Sequence, residues 1–260
     1  MELNLAGKNI VITGSAGVIG AELCRQLAAN GANLMMVDTS PKNRELGEEL
    51  AALHTQARIV HVNQDVAKEE TAAAAAAIVE REFGGVLHGL VNAVQYKSQS
   101  FFHDIKDTSA TELQDIFAAN VYSIFWMMKH LMAGLKKANG ASVVNFSSTY
   151  AIVSPNPLLY VGTDFGCPPT YVATKGAVHS LTKYLACYFA KDRIRVNSVS
   201  PHGVYNNHKD VFVNNFSKLS PLGRMSERDE VAPAILLLLS DKSSYMTGAN
   251  IKIDGGWTAW

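Results

Sequence analysis

Short apolar runs recur along the chain at 9–13, 33–38, 58–63, 89–93, 142–147, 195–200 and 250–253. They are apolar throughout rather than alternating with polar residues, the pattern of strands covered by helices on both faces. Between them lie 19–30, 44–55, 69–83, 110–137, 170–190 and 227–239, each long enough for a helix. This alternation predicts an α/β fold, a Rossmann-type doubly wound parallel sheet of about seven strands in one domain, 1–260. No linker rich in Pro, Gly or Ser divides the chain. Phe117, Val121, Ile124, Phe125, Met128 and Leu131 recur at helical spacing and are expected in the core or a subunit interface.

Two segments break the pattern. Residues 152–169 carry Pro155, Pro157, Pro168 and Pro169, and residues 205–220 are polar and rich in Asn. In a doubly wound sheet ligands collect beyond the carboxyl ends of the strands, where both segments are expected as loops.

Charge and cysteine usage narrow the partners. Lys plus Arg and Asp plus Glu are both 23, so no global field draws the chain to nucleic acid or an anionic membrane, and a small-molecule substrate is the expected partner. Cys24, Cys167 and Cys187 stand far apart without Cys-x-x-Cys spacing, which speaks against a disulfide framework. No His pair has metal-ligand spacing with an acidic partner, so no metal is expected. The first apolar run is too short for a signal segment or a membrane span, and a cytoplasmic location is expected.

The first strand runs into Thr13-Gly14-Ser15-Ala16-Gly17-Val18-Ile19-Gly20 and then a helix. Glycines let the backbone turn tightly and approach a pyrophosphate, which the free N–H groups of a helix start stabilise. The next strand ends on Asp38, whose carboxylate can accept hydrogen bonds from ribose hydroxyls and would repel a 2′-phosphate. NAD is therefore expected over NADP. The alternative for Asp38 is a turn or helix cap before Pro41.

Further along, Tyr171-x-x-x-Lys175 places a phenol and an ammonium on one face of a predicted helix. A phenol near pKa 10 is a poor base at neutral pH, but positive charge from the lysine and from an oxidised nicotinamide would stabilise the phenolate. Tyr171 then serves as general acid in reduction and general base in oxidation.

With these motifs in order, the chain resembles the short-chain dehydrogenase/reductase family over nearly its full length. The resemblance rests on the glycine loop, Asp38, Asp65-Val66, Asn92-Ala93, Asn120, Asn145-Phe146-Ser147-Ser148, Tyr171 with Lys175, Arg195-Val196-Asn197 with Pro201, and the ending Ile253-Asp254-Gly255-Gly256. It implies that Ser148 orients the substrate oxygen, that Lys175 holds the nicotinamide ribose and that Asn120 positions a water for proton relay. It further implies that Asp65 and Val66 contact adenine, and that Gly14, Ala16, Gly17, Val18, Ile19, Gly20, Asp38, Asn92, Ala93, Tyr171, Pro201, Gly203 and Val204 complete the cofactor site. A homotetramer or homodimer built on two long helices and the C-terminal segment is implied as well.

The chain also departs from the family pattern. The inner glycine usual at the position of Val18 is here Gly17, the usual Asn-Asn-Ala-Gly is Asn92-Ala93-Val94-Gln95, and Pro201-His202-Gly203 stands for Pro-Gly. Residues 152–169 look like an insertion over the site, and Tyr160, Thr163 and Asp164 there suit a hydroxylated substrate. Parts of this segment and the C-terminus look similar to oxidoreductases of bacterial surface-sugar pathways, such as flagellin modification and legionaminic acid synthesis. The expected reaction is interconversion of a secondary alcohol and a ketone on a sugar, nucleotide sugar or other polyol, with residues 152–169 and 205–220 as a polar lid. Turnover of steroids and long acyl thioesters is expected to be nearly absent. A 3-oxoacyl thioester reductase is the alternative enzyme, disfavoured by Asp38 and the polar 205–220 segment. A non-catalytic NAD-sensing protein is the alternative of another class; it has no need of Ser148, Tyr171 and Lys175, which are all present. His202 and His208 are expected to be solvated loop residues.

Overall fold

The computed structural model describes residues 3–98, 101–102 and 104–260. Seven parallel strands form one sheet in the order β3-β2-β1-β4-β5-β6-β7: β1 (Asn9–Thr13), β2 (Asn33–Asp38), β3 (Ile59–Asn63), β4 (Gly89–Asn92), β5 (Ser142–Phe146), β6 (Arg195–Pro201) and β7 (Asn250–Ile253). The strand order reverses between β1 and β4, and a doubly wound sheet opens its ligand crevice at such a point.

Successive residues of each strand serve opposite faces. Val11, Met35, Leu90, Val143 and Val196 pack under α3 (Glu69–Phe83), α5 (Ser123–Lys137) and α6 (Pro169–Phe189). Ile10, Ile12, Leu34, Val91 and Val144 pack on the other face under α1 (Val18–Ala29), α2 (Lys42–Leu53) and α8 (Ala232–Leu239). Because both faces are covered, the strands read as continuous apolar runs, and each fully buried Leu, Ile or Val contributes roughly 1.5–3 kcal/mol. No helix among the described residues is long and apolar enough to cross a membrane.

Two elements differ from the sequence expectation. The helix expected over 110–137 is α4 (Ala110–Phe117) and α5 joined by a single π-helical turn, Ala118–Tyr122, which periodicity cannot reveal. Such turns recur at functional sites, and this one holds Asn120. The polar segment 205–220 is not a loop throughout: α7 (Asp210–Leu219) buries Phe212 and Phe216 one turn apart. These two rings, Leu159, Met225 and Trp257 form a third apolar cluster above the carboxyl ends of the strands.

Candidate active site

A cleft of about 760 Å³ crosses the carboxyl end of the sheet, from the glycine loop to the third apolar cluster. At its first end Gly14 sits at φ +73°, and a Cβ there would lie 2.7 Å from the Ala93 carbonyl oxygen. Gly20, in the first turn of α1, is tighter still: its Cβ would meet the Gly14 oxygen at 2.0 Å. Gly17 precedes α1 and donates its N–H to the same oxygen at 3.1 Å. These contacts demand glycine at 14 and 20 and leave little room at 17. Val18 opens the helix.

No side chain caps α1, so the N–H groups of its first turn remain available at the cleft. With the space left by the glycines, that makes a cradle fitting a dinucleotide pyrophosphate. Ser15 donates to Asn43 Oδ1 at 2.7 Å, and the Asn43 amide donates to the carbonyls of Met36 and Val62 at 3.1 and 3.2 Å. Sequence reading missed this brace because a buried Asn within a helix carries no motif. Asp38 lines the cleft and accepts N–H groups from Ala16 at 3.0 Å and Ser40 at 2.9 Å. Its carboxylate both caps the turn and faces the cofactor end. Ala16, Ile19, Asp65, Val66, Ala93, Pro201, Gly203 and Val204 also line the cleft.

Ser148, Tyr171 and Lys175 meet in the middle. Ser148 follows β5, while Tyr171 and Lys175 share one face of α6. Lys175 is 3% exposed, its Nζ donates to the Phe146 carbonyl at 2.9 Å, and it stands 5.7 Å from the centre of the Tyr171 ring. Burial pulls the lysine down to about 8. Burial also raises Tyr171 above the usual phenol range, and the Ser148 hydroxyl opposes that rise by stabilising the phenolate. Desolvation outweighs the Ser148 hydrogen bond, and Tyr171 is a neutral phenol poised to donate a proton. Phe101 and Tyr150 each set an edge against its ring, with centroids 6.2 Å away.

Asn120 and Asn92 lie outside the cleft wall. Asn120 accepts the Tyr96 N–H at 2.9 Å and donates to Thr174 Oγ1 at 3.4 Å, tying the loop after β4 to α6. Asn92 donates to Asn145 Oδ1 at 2.8 Å, and Asn145 donates to Thr182 at 3.0 Å, so the two amides tie β4 and β5 to α6.

The far end of the cleft differs from the polar lid read in the sequence. The Thr163 hydroxyl is spent on the carbonyls of Tyr160 and Phe165, and Asp164 pairs with Lys209 on the outer surface at 2.8 Å. That ion pair connects the insertion to the start of α7. Tyr160 reaches the cleft, but its hydroxyl meets that of Tyr150 at 3.0 Å. The walls are mainly aromatic, with Phe101, Phe102, Phe165, Phe212 and Phe216. The helical spacing of Val211, Phe212, Phe216 and Leu219 was the available signal that 205–220 turns an apolar face inward.

His202 is not a solvated loop residue. It is 7% exposed among Tyr150, Phe216 and Trp257, and Nδ1 pairs with Thr149 Oγ1 at 2.8 Å. Desolvation lowers it to about 4. Its folded value thus lies below its unfolded value, so the unfolded chain takes up the proton first and stability is lost as pH falls from about 6.5 toward 4. The full effect is on the order of 3 kcal/mol. His202→Gln should lose less thermal stability than the wild type between pH 7.5 and pH 5; parallel losses in paired melts would contradict the assignment.

A family described as enoyl-(acyl carrier protein) reductase matches residues 14–258. Galactitol 2-dehydrogenase (L-tagatose-forming) of Cereibacter sphaeroides is 30% identical over 98% of this chain and 97% of its own. The 3-alpha-(or 20-beta)-hydroxysteroid dehydrogenase of Mycobacterium tuberculosis is 34% identical over 100% of this chain and 92% of its own. Among solved structures, a short chain dehydrogenase from Leptospira borgpetersenii with bound NAD+ superimposes with a TM-score of 0.83 at 25% identity, covering 98% of this chain and 94% of that one.

Proposed function

Since the chain belongs to the short-chain dehydrogenase/reductase family and is an NAD(P)-dependent oxidoreductase acting on CH–OH groups, we propose that it uses NAD to interconvert a ketone and a secondary alcohol borne on a hydroxylated ring, a cyclic polyol or sugar. The observation that carries this reading is the meeting of Ser148, Tyr171 and Lys175 between the glycine cradle and an aromatic-walled recess. When bound, the nicotinamide supplies or accepts the hydride. Ser148 holds the substrate oxygen, Tyr171 Oη gives that oxygen a proton in reduction or takes it in oxidation, and the buried Lys175 ammonium stabilises the phenolate. Asn120, outside the cleft wall, would serve the proton relay only through a water, for which its two protein hydrogen bonds leave capacity.

Aromatic faces suit the C–H face of a ring, while the reacting hydroxyl is met by Ser148 and Tyr171. Relatives acting on a polyol and on a ring-borne steroid alcohol support a secondary alcohol without separating the two substrate classes. The inward apolar face of α7 also favours a second reading, 3-oxoacyl thioester reduction, because it removes the polar character that argued against an acyl path. A panel following NADH absorbance decides between them: efficient turnover of cyclic polyols or sugars is expected, and a clear preference for a 3-oxoacyl thioester would overturn the ring-alcohol reading.

For the cofactor, Asp38→Asn keeps an acceptor for the loop N–H groups and removes the charge that would repel a 2′-phosphate. The preference for NADH over NADPH is expected to narrow at least about tenfold, the equivalent of roughly 1.4 kcal/mol. Unchanged discrimination in paired titrations would mean that Asp38 serves the loop alone. Self-association is supported by Phe125 on α5 and by the stacked Tyr184 and Tyr188 on α6, large side chains that are all about half exposed or more.

A further inference from the structure

Beyond the reacting phenol the recess is walled by rings, and two of them, Tyr150 and Tyr160, pair their hydroxyls. Tyr150 lies in the 3₁₀ turn Thr149–Ala151 and donates its N–H to Ser148 Oγ at 3.2 Å. Its ring makes one edge contact with Tyr171, centroids 6.2 Å apart, and another with His202 at 5.3 Å. Tyr160 ends the 3₁₀ turn Pro157–Tyr160 of the insertion, and its ring lies 6.0 Å from Phe165 and 6.1 Å from Phe212. Each ring is thus held from two sides, and the hydroxyls meet at 3.0 Å.

The pair is not closed. The Tyr160 hydroxyl also bonds the Cys167 thiol, whereas among the described residues the Tyr150 hydroxyl has Tyr160 as its one partner. Burial holds both phenols above their usual range, so neither offers a charge at neutral pH. A phenol has one O–H and two lone pairs. When Tyr160 donates, the Tyr150 O–H is left to give; when Tyr150 donates, its second lone pair is left to receive. A hydroxyl partner fits both arrangements because it donates and accepts, while a carboxylate or an ammonium fits only one.

We propose that Tyr150, backed by Tyr160, receives a second hydroxyl carried on the same ring as the reacting one, and so sets a preference for ring diols over ring alcohols with a single hydroxyl. Tyr150 suits this contact because it touches Ser148 through its N–H and stands one ring spacing from Tyr171, the two residues that meet the first oxygen. Tyr160 acts through Tyr150 and is a positioning residue. Between aromatic walls little water competes for the phenol, so a ring lacking the second hydroxyl leaves it unpaired and binds more weakly. The inference rests on the cleft being the alcohol site.

Calorimetric titration of the NADH-saturated enzyme with cyclohexanol and with the vicinal and wider-spaced cyclohexanediols reads the contact without turnover, since NADH cannot oxidise an alcohol. At least one diol is expected to bind about tenfold more tightly than cyclohexanol. Tyr150→Phe should close that gap, and Tyr160→Phe, which keeps the Tyr150 hydroxyl but not its alignment, should narrow it by less. Both substitutions keep the rings and their packing. Equal binding of alcohol and diols, binding of none, or a gap that survives Tyr150→Phe would each overturn the proposal. A hydroxyl pair that merely fastens the insertion would show itself by both substitutions weakening cyclohexanol and diols alike, with the gap preserved, and the proposal would then fall. NADH formation from the same ring alcohols with NAD is assayed on the same preparation: no turnover with the diol gap intact would sink the dehydrogenase reading and leave the subsite standing.

Discussion

Tyr171→Phe is expected to lower turnover by at least ~10²-fold, the scale of a positioned general acid or base, while NADH affinity stays within about twofold. Phenylalanine keeps the edge contacts with Phe101 and Tyr150, and only the hydroxyl facing Ser148 is lost. Burial raises the phenol, so Tyr171 stays protonated above the usual phenol range and reaches its phenolate only as pH rises. Carbonyl reduction uses the protonated phenol and should slow as pH rises, whereas alcohol oxidation uses the phenolate and should quicken. The residual activity of Tyr171→Phe should lack both slopes. Initial rates in each direction, with cofactor titrations on the same preparation, check this. Retention of more than about a tenth of the wild-type rate would contradict the proton-transfer role.

The sheet was legible because each strand carries an unbroken apolar run, which burial on both faces requires. The glycine loop and the Tyr171–Lys175 pair were legible because backbone approach and helical spacing leave fixed marks on a sequence. What escaped reading depends on contacts between distant segments. The inner glycine at 17 stands where the carbonyl of Gly14 approaches it, 3.2 Å from a would-be Cβ, a closeness that the order of residues does not display. Thr163 and Asp164 were read by side-chain type as ligand groups, but local carbonyls and Lys209 claim them. The polar look of 205–220 averaged over a helix whose Phe212 and Phe216 turn inward. His202 looked like a loop residue because nothing in its neighbourhood announces that Tyr150, Phe216 and Trp257 enclose it.

The glycine loop supplies the other large effect. Gly20→Ala would place a methyl carbon 2.0 Å from the Gly14 carbonyl oxygen, and because that atom belongs to the backbone no side-chain rotation can relieve the clash. Either α1 withdraws from the loop or Gly14 gives up its positive φ, and each movement displaces the N–H groups that form the anion cradle. Losing one or two charge-assisted hydrogen bonds, at roughly 1.5–3 kcal/mol each, corresponds to at least about a tenfold rise in the Kd for NADH. Overpacking costs the fold a further ~1–3 kcal/mol, which lowers Tm but leaves a folded population for titration. Val18→Ala, in the same turn of α1, adds no atom and should hold NADH affinity within about threefold. Fluorescence titration of NADH into both variants, with helical circular dichroism recorded on the same samples, separates a broken cradle from a lost fold. Wild-type affinity in a folded Gly20→Ala protein would show that the dinucleotide does not depend on this turn, and the cofactor assignment of the glycine loop would fall with it.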